Sequence, residues 1–375
     1  MLAEGQPLSG HGATRPERLP VPCPTHTKGM IPITKPAKTS AKHSVAVSVL
    51  LCCALFLLPL LTLGPKLLPS GESDQEEITR IEVLPPGEID SGVTLRVKVG
   101  DAVEEMTMND YLQSVLRAEM PASFEQEALN AQAVAARTYT LYKILSGGNH
   151  GDEADICSDH TCCQAYLSAD RAATNWGDKA EYYEAKIDNA VAITDGQTIL
   201  YDGAPILAVF HSSSAGMTRN SGQVWTQDLP YLHSVAAAED PESIPNYYSR
   251  AEFTADEFKE KFLAKHPDAD LSGDMSGWVK DLTVSEAQNV DTVTVGGVTL
   301  RGAELRSILG LRSASFQVEV EGKKLVFFVT GYGHGVGMSQ YGANQMAKEG
   351  KLYTDILTHY YTGVTVTTYV PDLGR

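Results

Sequence analysis

A glutamate near the end of a short helical pattern is the first residue in this sequence that could do chemistry. Glu119 lies in the run Arg117-Ala118-Glu119-Met120-Pro121, and Pro121 stops the helix. The exposed carbonyl groups of a last helical turn carry partial negative charge, and burial beside Met120 would raise a carboxyl pKa further. A general acid needs a carboxyl group that keeps its proton near neutral pH. From position alone, an exposed glutamate that pairs with Arg117 is the simpler interpretation.

Five histidine and cysteine side chains follow within fourteen residues: His150, Cys157, His160, Cys162 and Cys163. Nitrogen and sulfur donors suit a tetrahedral zinc site, and four of them leave no position open for water. We therefore predict a structural zinc held by His150, Cys157, Cys162 and Cys163, with His160 as the substitute ligand. The irregular spacing leaves an alternative, because Cys157 could form a disulfide with Cys162 or Cys163 outside the cytoplasm.

The block FHSSSAGMT at 210–218 places three serines beside His211. A serine hydrolase would carry its nucleophile in a GxSxG elbow, which this block lacks. A polar turn that lines a binding groove is therefore the simpler interpretation. Under it, His211 and Ser213 are candidates for contact with a bound ligand.

The block GYGHGVGMSQYGA at 331–343 alternates glycine with other residues. It contains neither GK[ST] nor GxGxxG, so a phosphate-binding loop is disfavoured. Glycines in an extended chain let the backbone approach another surface closely. That surface could be a flat sugar ring flanked by His334, Gln340 and Tyr341, or another segment of this chain.

The elements that must position these residues alternate irregularly between strand and helix. Residues 93–99 and 103–108 predict a hairpin, and Asp110 is a candidate cap for the helix that carries Glu119. Ser123 and Gln126 form a candidate capping box for a longer helix over 124–145. Without a βαβ rhythm, the fold class is predicted as α+β.

Later elements follow the same mixed pattern. We predict a helix over 179–194, a helix near 255–265, a strand pair within 291–300 and a helix over 301–309. Residues 237–325 as a whole have a poorly defined pattern.

An uncharged apolar run from 44 to 64 predicts a single membrane anchor over 43–64. Twenty-one residues at about 1.5 Å each span roughly 30 Å, the thickness of the hydrocarbon core. A cleaved signal peptide is disfavoured, because the run is too long and no cleavage site follows it. Residues 1–42 carry a formal charge of +4 and the remainder −21, so the N-terminus is predicted to be cytoplasmic.

The anchor divides the chain into predicted parts. Residues 1–42, with seven prolines and no aromatic residue, are expected to be a disordered basic cytoplasmic tail. Residues 65–90 are expected to be a stalk, and 91–375 an extracytoplasmic mixed helix and strand catalytic domain. The net charge of −17 argues against nucleic-acid binding.

Four blocks in a fixed order resemble the stage II sporulation protein D (SpoIID) family. They are EMPASFEQEALNAQAVAARTY, ICSDHTCCQAY, FHSSSAGMT and GYGHGVGMSQYGA. The likeness covers roughly 93–370 and is weak over 237–325. Where relatives usually have His-Cys-Gln, this chain has Cys162-Cys163-Gln164, which bears on the identity of the zinc ligands.

The resemblance implies a lytic transglycosylase that cleaves the bond between N-acetylmuramic acid and N-acetylglucosamine and leaves a 1,6-anhydro end. Its implied substrate is peptidoglycan glycan strands stripped of their stem peptides. Its implied partners are a SpoIIP-type amidase and a SpoIIM-type membrane protein, during engulfment in the space between mother cell and forespore.

The resemblance also implies that Glu119 is the catalytic acid. Hydrolytic glycosidases usually use two carboxylates, whereas a lytic transglycosylase needs one, since the 6-hydroxyl of the sugar replaces water. A structural zinc is the only cofactor expected. The alternative is a non-catalytic glycan-binding scaffold that activates a cell-wall amidase. The predicted substrate-binding residues are Arg137, Tyr139, Gln164, Tyr166, His211, Ser213, His334, Gln340 and Tyr341.

Overall fold

The computed structural model describes residues 81–148, 150 and 153–372. The predicted cytoplasmic tail, the predicted anchor over 43–64 and most of the predicted stalk lie outside these residues. Within the described part of the chain, no helix is both long and apolar enough to cross a membrane. The described residues combine helices with small sheets, which confirms the α+β class.

Ten helices are present in the described residues: α1 Glu88–Gly92, α2 Met108–Glu119, α3 Gln126–Leu145, α4 Ala169–Trp176, α5 Ala180–Ile193, α6 Ser221–Val224, α7 Ala255–Leu263, α8 Gly302–Leu309, α9 Gln340–Lys348 and α10 Tyr353–Tyr360. Single 3₁₀ turns occur at Gly177–Lys179, Pro241–Ser243 and Met275–Gly277.

Fourteen strands accompany them in the same part of the chain: β1 Thr94–Val99, β2 Ala102–Thr107, β3 Ile156–Cys157, β4 Gln197–Tyr201, β5 Ala204–Pro205, β6 Phe210–His211, β7 Tyr248–Thr254, β8 Val279–Val284, β9 Val290–Val295, β10 Val298–Arg301, β11 Phe316–Glu321, β12 Lys324–Thr330, β13 Met338–Ser339 and β14 Thr365–Thr368.

The long helix α3 is the centre of the first of two hydrophobic cores. Its small side chains, such as Ala133 and Ala136, are fully buried, and this lets neighbouring helices and β4 pack closely around it. The Thr138 hydroxyl accepts the Ile199 backbone N–H at 3.0 Å, which pins β4 to the helix. Helices α2, α5, α9 and α10 pack around α3.

A three-stranded sheet holds the start of the segment that contains Cys157, Cys162 and Cys163, which we call the cysteine-rich loop. Strands β1 and β2 form the predicted antiparallel hairpin, with Val97 opposite Glu104. Strand β3 adds to the other edge of β1 in parallel, with Lys98 opposite Cys157. The first cysteine is therefore fixed by backbone pairing.

Residues 248–330 form a region with a hydrophobic core of their own. This region has two three-stranded sheets, in the orders β10-β9-β8 and β11-β12-β7; helix α8 packs against the first and helix α7 against the second. Phe258 stacks on Phe262, Trp278 and Phe327 at centroid distances of 5.9–6.3 Å. We call this segment the inserted region, because the chain leaves and re-enters the first core around it.

Two helix starts differ from the predictions. Thr107, not Asp110, caps α2: its hydroxyl accepts the Asp110 N–H at 3.1 Å. The predicted capping box of Ser123 and Gln126 does not form, since Glu125 is the N-cap residue of α3 and has no side-chain cap bond. Its backbone N–H instead donates to Asn344 Oδ1 at 2.8 Å, so a tertiary contact takes the place of a local one.

Candidate active site

A cleft of about 760 Å³ opens between the C-terminal end of α2, the cysteine-rich loop, β6 and the glycine-rich block. This volume lies within the usual range of small-molecule sites. Its lining residues are Arg117, Ala118, Glu119, Met120, Pro121, Ala122, Tyr139, His160, Cys163, Gln164, Trp176, Val209, Phe210, His211, Ser212, Arg306, Tyr332, Gly333, His334, Gln340 and Tyr341.

Glu119 is the last residue of α2 and is held from two directions. Its Oε1 accepts the Ala165 backbone N–H at 2.7 Å, and its own carbonyl oxygen accepts Gln340 Nε2 at 2.9 Å. Burial raises the pKa of the Glu119 carboxyl above its usual range, while the Ala165 N–H and His160 act in the opposite direction. The carboxyl is therefore both fixed in place and biased toward its protonated form.

Glu119 is the only carboxylate among the described residues that line the cleft. The neighbouring Arg117 does not pair with it, because its guanidinium forms an ion pair with Glu184 on α5. The simpler interpretation of a glutamate paired with Arg117 is therefore wrong. Glu119 faces the cleft without a countercharge from its own helix.

The glycine-rich block packs against this chain rather than leaving open space. A Cβ atom at Gly337 would lie 2.1 Å from the Val209 carbonyl oxygen, and one at Gly333 would lie 2.7 Å from His211 Cβ. Both glycines have positive φ, which other residues rarely adopt. The close approach lets β13 pair in parallel with β6. Tight internal packing, one of the two alternatives left open by the sequence, accounts for these glycines.

His211 and His334 line the cleft as neutral rings. His211 Nδ1 lies 3.1 Å from the Val336 carbonyl, which can only accept, so His211 Nε2 accepts the Ser214 hydroxyl at 2.6 Å. Burial lowers the pKa of His211 to about 3 and that of His334 to about 4. Ser214 is itself buried and its histidine is oriented by a carbonyl rather than a carboxylate, which disfavours a serine hydrolase.

Glu239 is a buried titratable residue, outside the lining of the cleft, that the sequence analysis did not select. Its Oε1 accepts the Ser214 backbone N–H at 2.6 Å and the Ser339 hydroxyl, so it joins the serine block to the start of α9. Burial raises its pKa to about 7. Glu239 lies in a segment without a recognisable motif, so only its three-dimensional contacts identify it.

The four predicted zinc ligands converge in space. The donor atoms of His150, Cys157, Cys162 and Cys163 all lie within 4.8 Å of one another. The Cys162 and Cys163 sulfurs are 3.8 Å apart, and His150 Nε2 lies 3.4 Å from the Cys163 sulfur and 3.7 Å from that of Cys162. Zn–S bonds of about 2.3 Å at tetrahedral angles require sulfurs about 3.8 Å apart, so the donor set fits zinc. His160 lies apart from the cluster, with 77% of its side chain exposed.

The predicted substrate-binding residues fall into two groups. Tyr139, His211, His334, Gln340 and Tyr341 line the cleft, as Gln164 does. The Gln164 amide, however, points into the core, where its nitrogen donates to Thr140 Oγ1 at 3.0 Å.

Three of the predicted substrate-binding residues do not line the cleft. Arg137 is 1% exposed and its guanidinium pairs with the buried Asp90, so burial and charge pairing give it a structural role. Ser213 is buried and its backbone pairs with that of Tyr332. Tyr166 packs against the first core near Tyr111. These three placements correct the sequence analysis.

The cleft also contains residues that the sequence analysis did not select: Arg117, Trp176, Phe210, Ser212, Arg306 and Tyr332. Tyr332, Phe210 and Ser212 lie inside the two blocks already quoted, so their proximity to His334 and His211 was a usable signal. Arg306 lies in the inserted region, where no motif pointed to it.

Comparisons with known proteins agree on one family. The profile described as SpoIID, stage II sporulation protein, matches residues 98–201. Stage II sporulation protein D of Bacillus subtilis is 35% identical over 87% of this chain and 95% of its own length. The protein of the same name from Bacillus amyloliquefaciens is 37% identical over 71% of this chain and 75% of its own length.

A more distant relative carries a different name. The amidase enhancer of Bacillus subtilis is 29% identical over 69% of this chain and 40% of its own length. The matches to stage II sporulation protein D are both more similar and more complete. Together with the four ordered sequence blocks that surround the cleft, they show that this chain belongs to the stage II sporulation protein D family.

Proposed function

We propose that this chain is a peptidoglycan lytic transglycosylase that acts in sporulation, with Glu119 as its only acid–base group. The observation that carries the proposal is a cleft with one carboxylate, whose pKa is raised by burial. A hydrolytic glycosidase usually uses a second carboxylate to activate water or to form a covalent intermediate. A lytic transglycosylase replaces it with the 6-hydroxyl of N-acetylmuramic acid.

The contacts of Glu119 support both halves of this reaction. Because Oε1 accepts the Ala165 N–H, the carboxyl proton resides on Oε2, which donates it to the departing glycosidic oxygen. The resulting carboxylate then accepts the proton of the 6-hydroxyl as that oxygen attacks the anomeric carbon. The glycosidic C–O bond breaks, an intramolecular C–O bond forms, and the glutamic acid is regenerated without a water molecule.

The proposal is tested by incubating the full-length chain in detergent with peptide-free glycan strands and analysing the products by mass spectrometry. We expect anhydro-ended fragments from the wild type and a loss of at least about 10²–10⁴ in rate for Glu119→Gln, which keeps the shape but cannot carry the proton. Glu104→Gln, an exposed change on β2, is the matched control and should cleave normally. Near wild-type release of anhydro ends by Glu119→Gln would exclude this residue, and reducing ends would indicate hydrolysis.

The second candidate function is a glycan-binding scaffold that activates a cell-wall amidase. It is favoured by the 29% identity to the amidase enhancer. In that case the wild type leaves peptide-free strands unchanged but accelerates an added amidase on intact peptidoglycan. Glu119→Gln would accelerate the amidase equally well, which separates the two functions.

We further propose that the cysteine-rich loop binds a structural zinc through His150, Cys157, Cys162 and Cys163. The metal would close a loop whose next residues include Ala165, the N–H donor to Glu119. Four protein donors would complete the coordination, so the site would stabilise the loop and take no part in the reaction.

Metal analysis of protein purified without added zinc distinguishes this site from a disulfide. We expect about one equivalent of zinc, lost in Cys157→Ser and retained in the control Cys23→Ser. A disulfide would instead be supported by less than about a tenth of an equivalent of zinc, together with two thiols that can be titrated only after a reductant is added.

The charge distribution of the sequence supports an orientation in the membrane, and the family resemblance implies the partners. We propose an anchor over 43–64 with the N-terminus in the cytoplasm and the cleft in the space between mother cell and forespore. There the chain would work beside a SpoIIP-type amidase and a SpoIIM-type membrane protein. Protease added to intact protoplasts should remove residues beyond about 65, and protection of that segment would overturn the orientation.

A further inference from the structure

The inserted region contributes one charged side chain to the cleft, and the described residues place no countercharge beside it. Arg306 lies on α8, the helix that follows β10. Its Nε donates to the carbonyl oxygens of Leu311 and Arg312, both at 3.2 Å, and these bonds fix the plane of the guanidinium. Among the described residues, no carboxylate lies within ion-pair distance of Arg306. Its terminal nitrogens are therefore available to a ligand.

The surroundings of Arg306 are neutral or positively charged. His334 and His211 feel its charge, which contributes to their low pKa values, and both are neutral near pH 7. The nearby Arg219 already has Asp291 as its partner, at 3.8 Å. Elsewhere in the lining, Arg117 is paired with Glu184, and Glu119 is biased toward its neutral form. Among the described residues, the lining of the cleft thus includes one half-buried positive charge without a countercharge.

A half-buried guanidinium with a fixed plane matches a carboxylate, since its terminal N–H groups can donate to both oxygens of one acid. We propose that Arg306 binds the free lactyl carboxylate of a muramic acid residue and thereby selects strands whose stem peptides have been removed. The inference rests on the proposed function for the nature of the glycan. An attached stem peptide converts that carboxylate into an amide, which has no charge to pair with Arg306 and adds bulk at the same position.

The experiment compares two substrates that differ in this charge and by one small methyl group. Peptide-free glycan strands are used with free carboxyl groups and after methyl esterification, and both binding and release of anhydro ends are measured with the full-length chain. We expect the wild type to prefer the free acid by about 10-fold to 100-fold, as for a hydrogen-bonded charged group. Arg306→Gln should lose this preference, because its binding and cleavage of the free acid decrease while those of the ester stay unchanged.

Two further variants control for structure. Arg301→Gln, an exposed arginine at the N-cap of the same helix, should keep the wild-type preference. Arg306→Lys retains the charge without the planar fork and should keep a reduced preference, which covers the case in which Arg306→Gln fails to fold. Equal use of acid and ester by the wild type, or an unchanged preference in Arg306→Gln, would overturn the proposal.

A failure of the carboxylate site can be distinguished from a failure of the proposed function. Binding is measured with Glu119→Gln, which cleaves nothing if Glu119 is the acid. If the wild type releases no anhydro ends but Glu119→Gln still binds the acid strands better than the esters through Arg306, the transglycosylase proposal fails and the carboxylate site stands.

Discussion

Buried acidic side chains around the cleft and exposed acidic side chains in the inserted region have pKa values shifted in opposite directions. Near the cleft, burial raises the pKa values of Glu119, of Asp188 to about 6 and of Glu239 to about 7. In the inserted region, hydrogen bonds to neighbouring side chains and backbone lower the pKa values of exposed acids. These acids are Glu252, Glu257, Asp270 and Asp274.

The contrast extends to what each core contains. The first core encloses polar and charged groups, among them the Arg137 and Asp90 pair, whereas Phe258, Phe327 and Trp278 dominate the second. A buried polar group that loses its partner costs stability, more so when it is charged. The first region therefore combines its core with positioned polar groups, whereas the apolar core of the inserted region supports the helix that carries Arg306.

The largest expected effect is at Arg137, in the first core. Arg137→Leu leaves Asp90 buried without its partner, so the free energy of unfolding should fall by about 3–5 kcal/mol. Denaturant titration measures this. The double variant Asp90→Leu/Arg137→Leu should lose less, since no buried charge remains. If Arg137→Leu unfolds normally but no longer binds glycan, the sugar-binding role predicted from the sequence is right and the structural role is wrong.

A smaller effect is expected in the second core. Leu305 is fully buried on α8 beside Arg306, and Leu305→Ala should cost about 2–4 kcal/mol. Hydrogen exchange should show reduced protection within 248–330 and little change in α3. Ser307→Ala, an exposed change on the same helix, is the control. Equal loss of protection in α3 would mean that the two cores unfold as one unit.

The smallest expected effect is a pH dependence of the free energy of unfolding, which arises from Glu239 in the first region. The folded protein holds the Glu239 proton up to about pH 7, whereas an unfolded chain releases it near pH 4.5. Between these values the folded state binds more protons, so the free energy of unfolding falls as pH rises, by about 1–3 kcal/mol from this group.

Glu239→Gln tests this dependence, because it removes that part of the slope. Denaturation at several pH values should show a flatter curve for Glu239→Gln than for the wild type. The exposed change Glu242→Gln should leave the slope unchanged. Asp188 has a raised pKa and contributes a slope of the same sign, so some dependence should remain. An identical slope in Glu239→Gln and wild type would contradict the assigned environment.

The parts of the fold that local patterns determine could be predicted from the sequence. The hairpin over 94–107 follows from alternation and a short turn, and helix α3 from its length and composition. The convergence of Cys157, Cys162 and Cys163 could also be predicted, because these residues are close in sequence.

Features that depend on distant partners could not be predicted. The structural role of Arg137 could not be predicted, because its partner Asp90 lies 47 residues away and no local pattern links the two. The predicted capping box failed because Asn344, more than two hundred residues later, binds Glu125. Glu239 and Arg306 occur in segments without motifs, and they acquire their roles only when the chain folds around them.

The hydrogen bond from Ala165 to Glu119 makes a single backbone amide a spectroscopic reporter. An amide that donates to an ionised carboxylate forms a shorter, stronger hydrogen bond than one that donates to a neutral acid. Its proton resonance therefore moves downfield as Glu119 loses its proton. Selective ¹⁵N labelling of alanine would follow the ionisation of one glutamate among many acidic groups, with no substrate present and no change to the sequence.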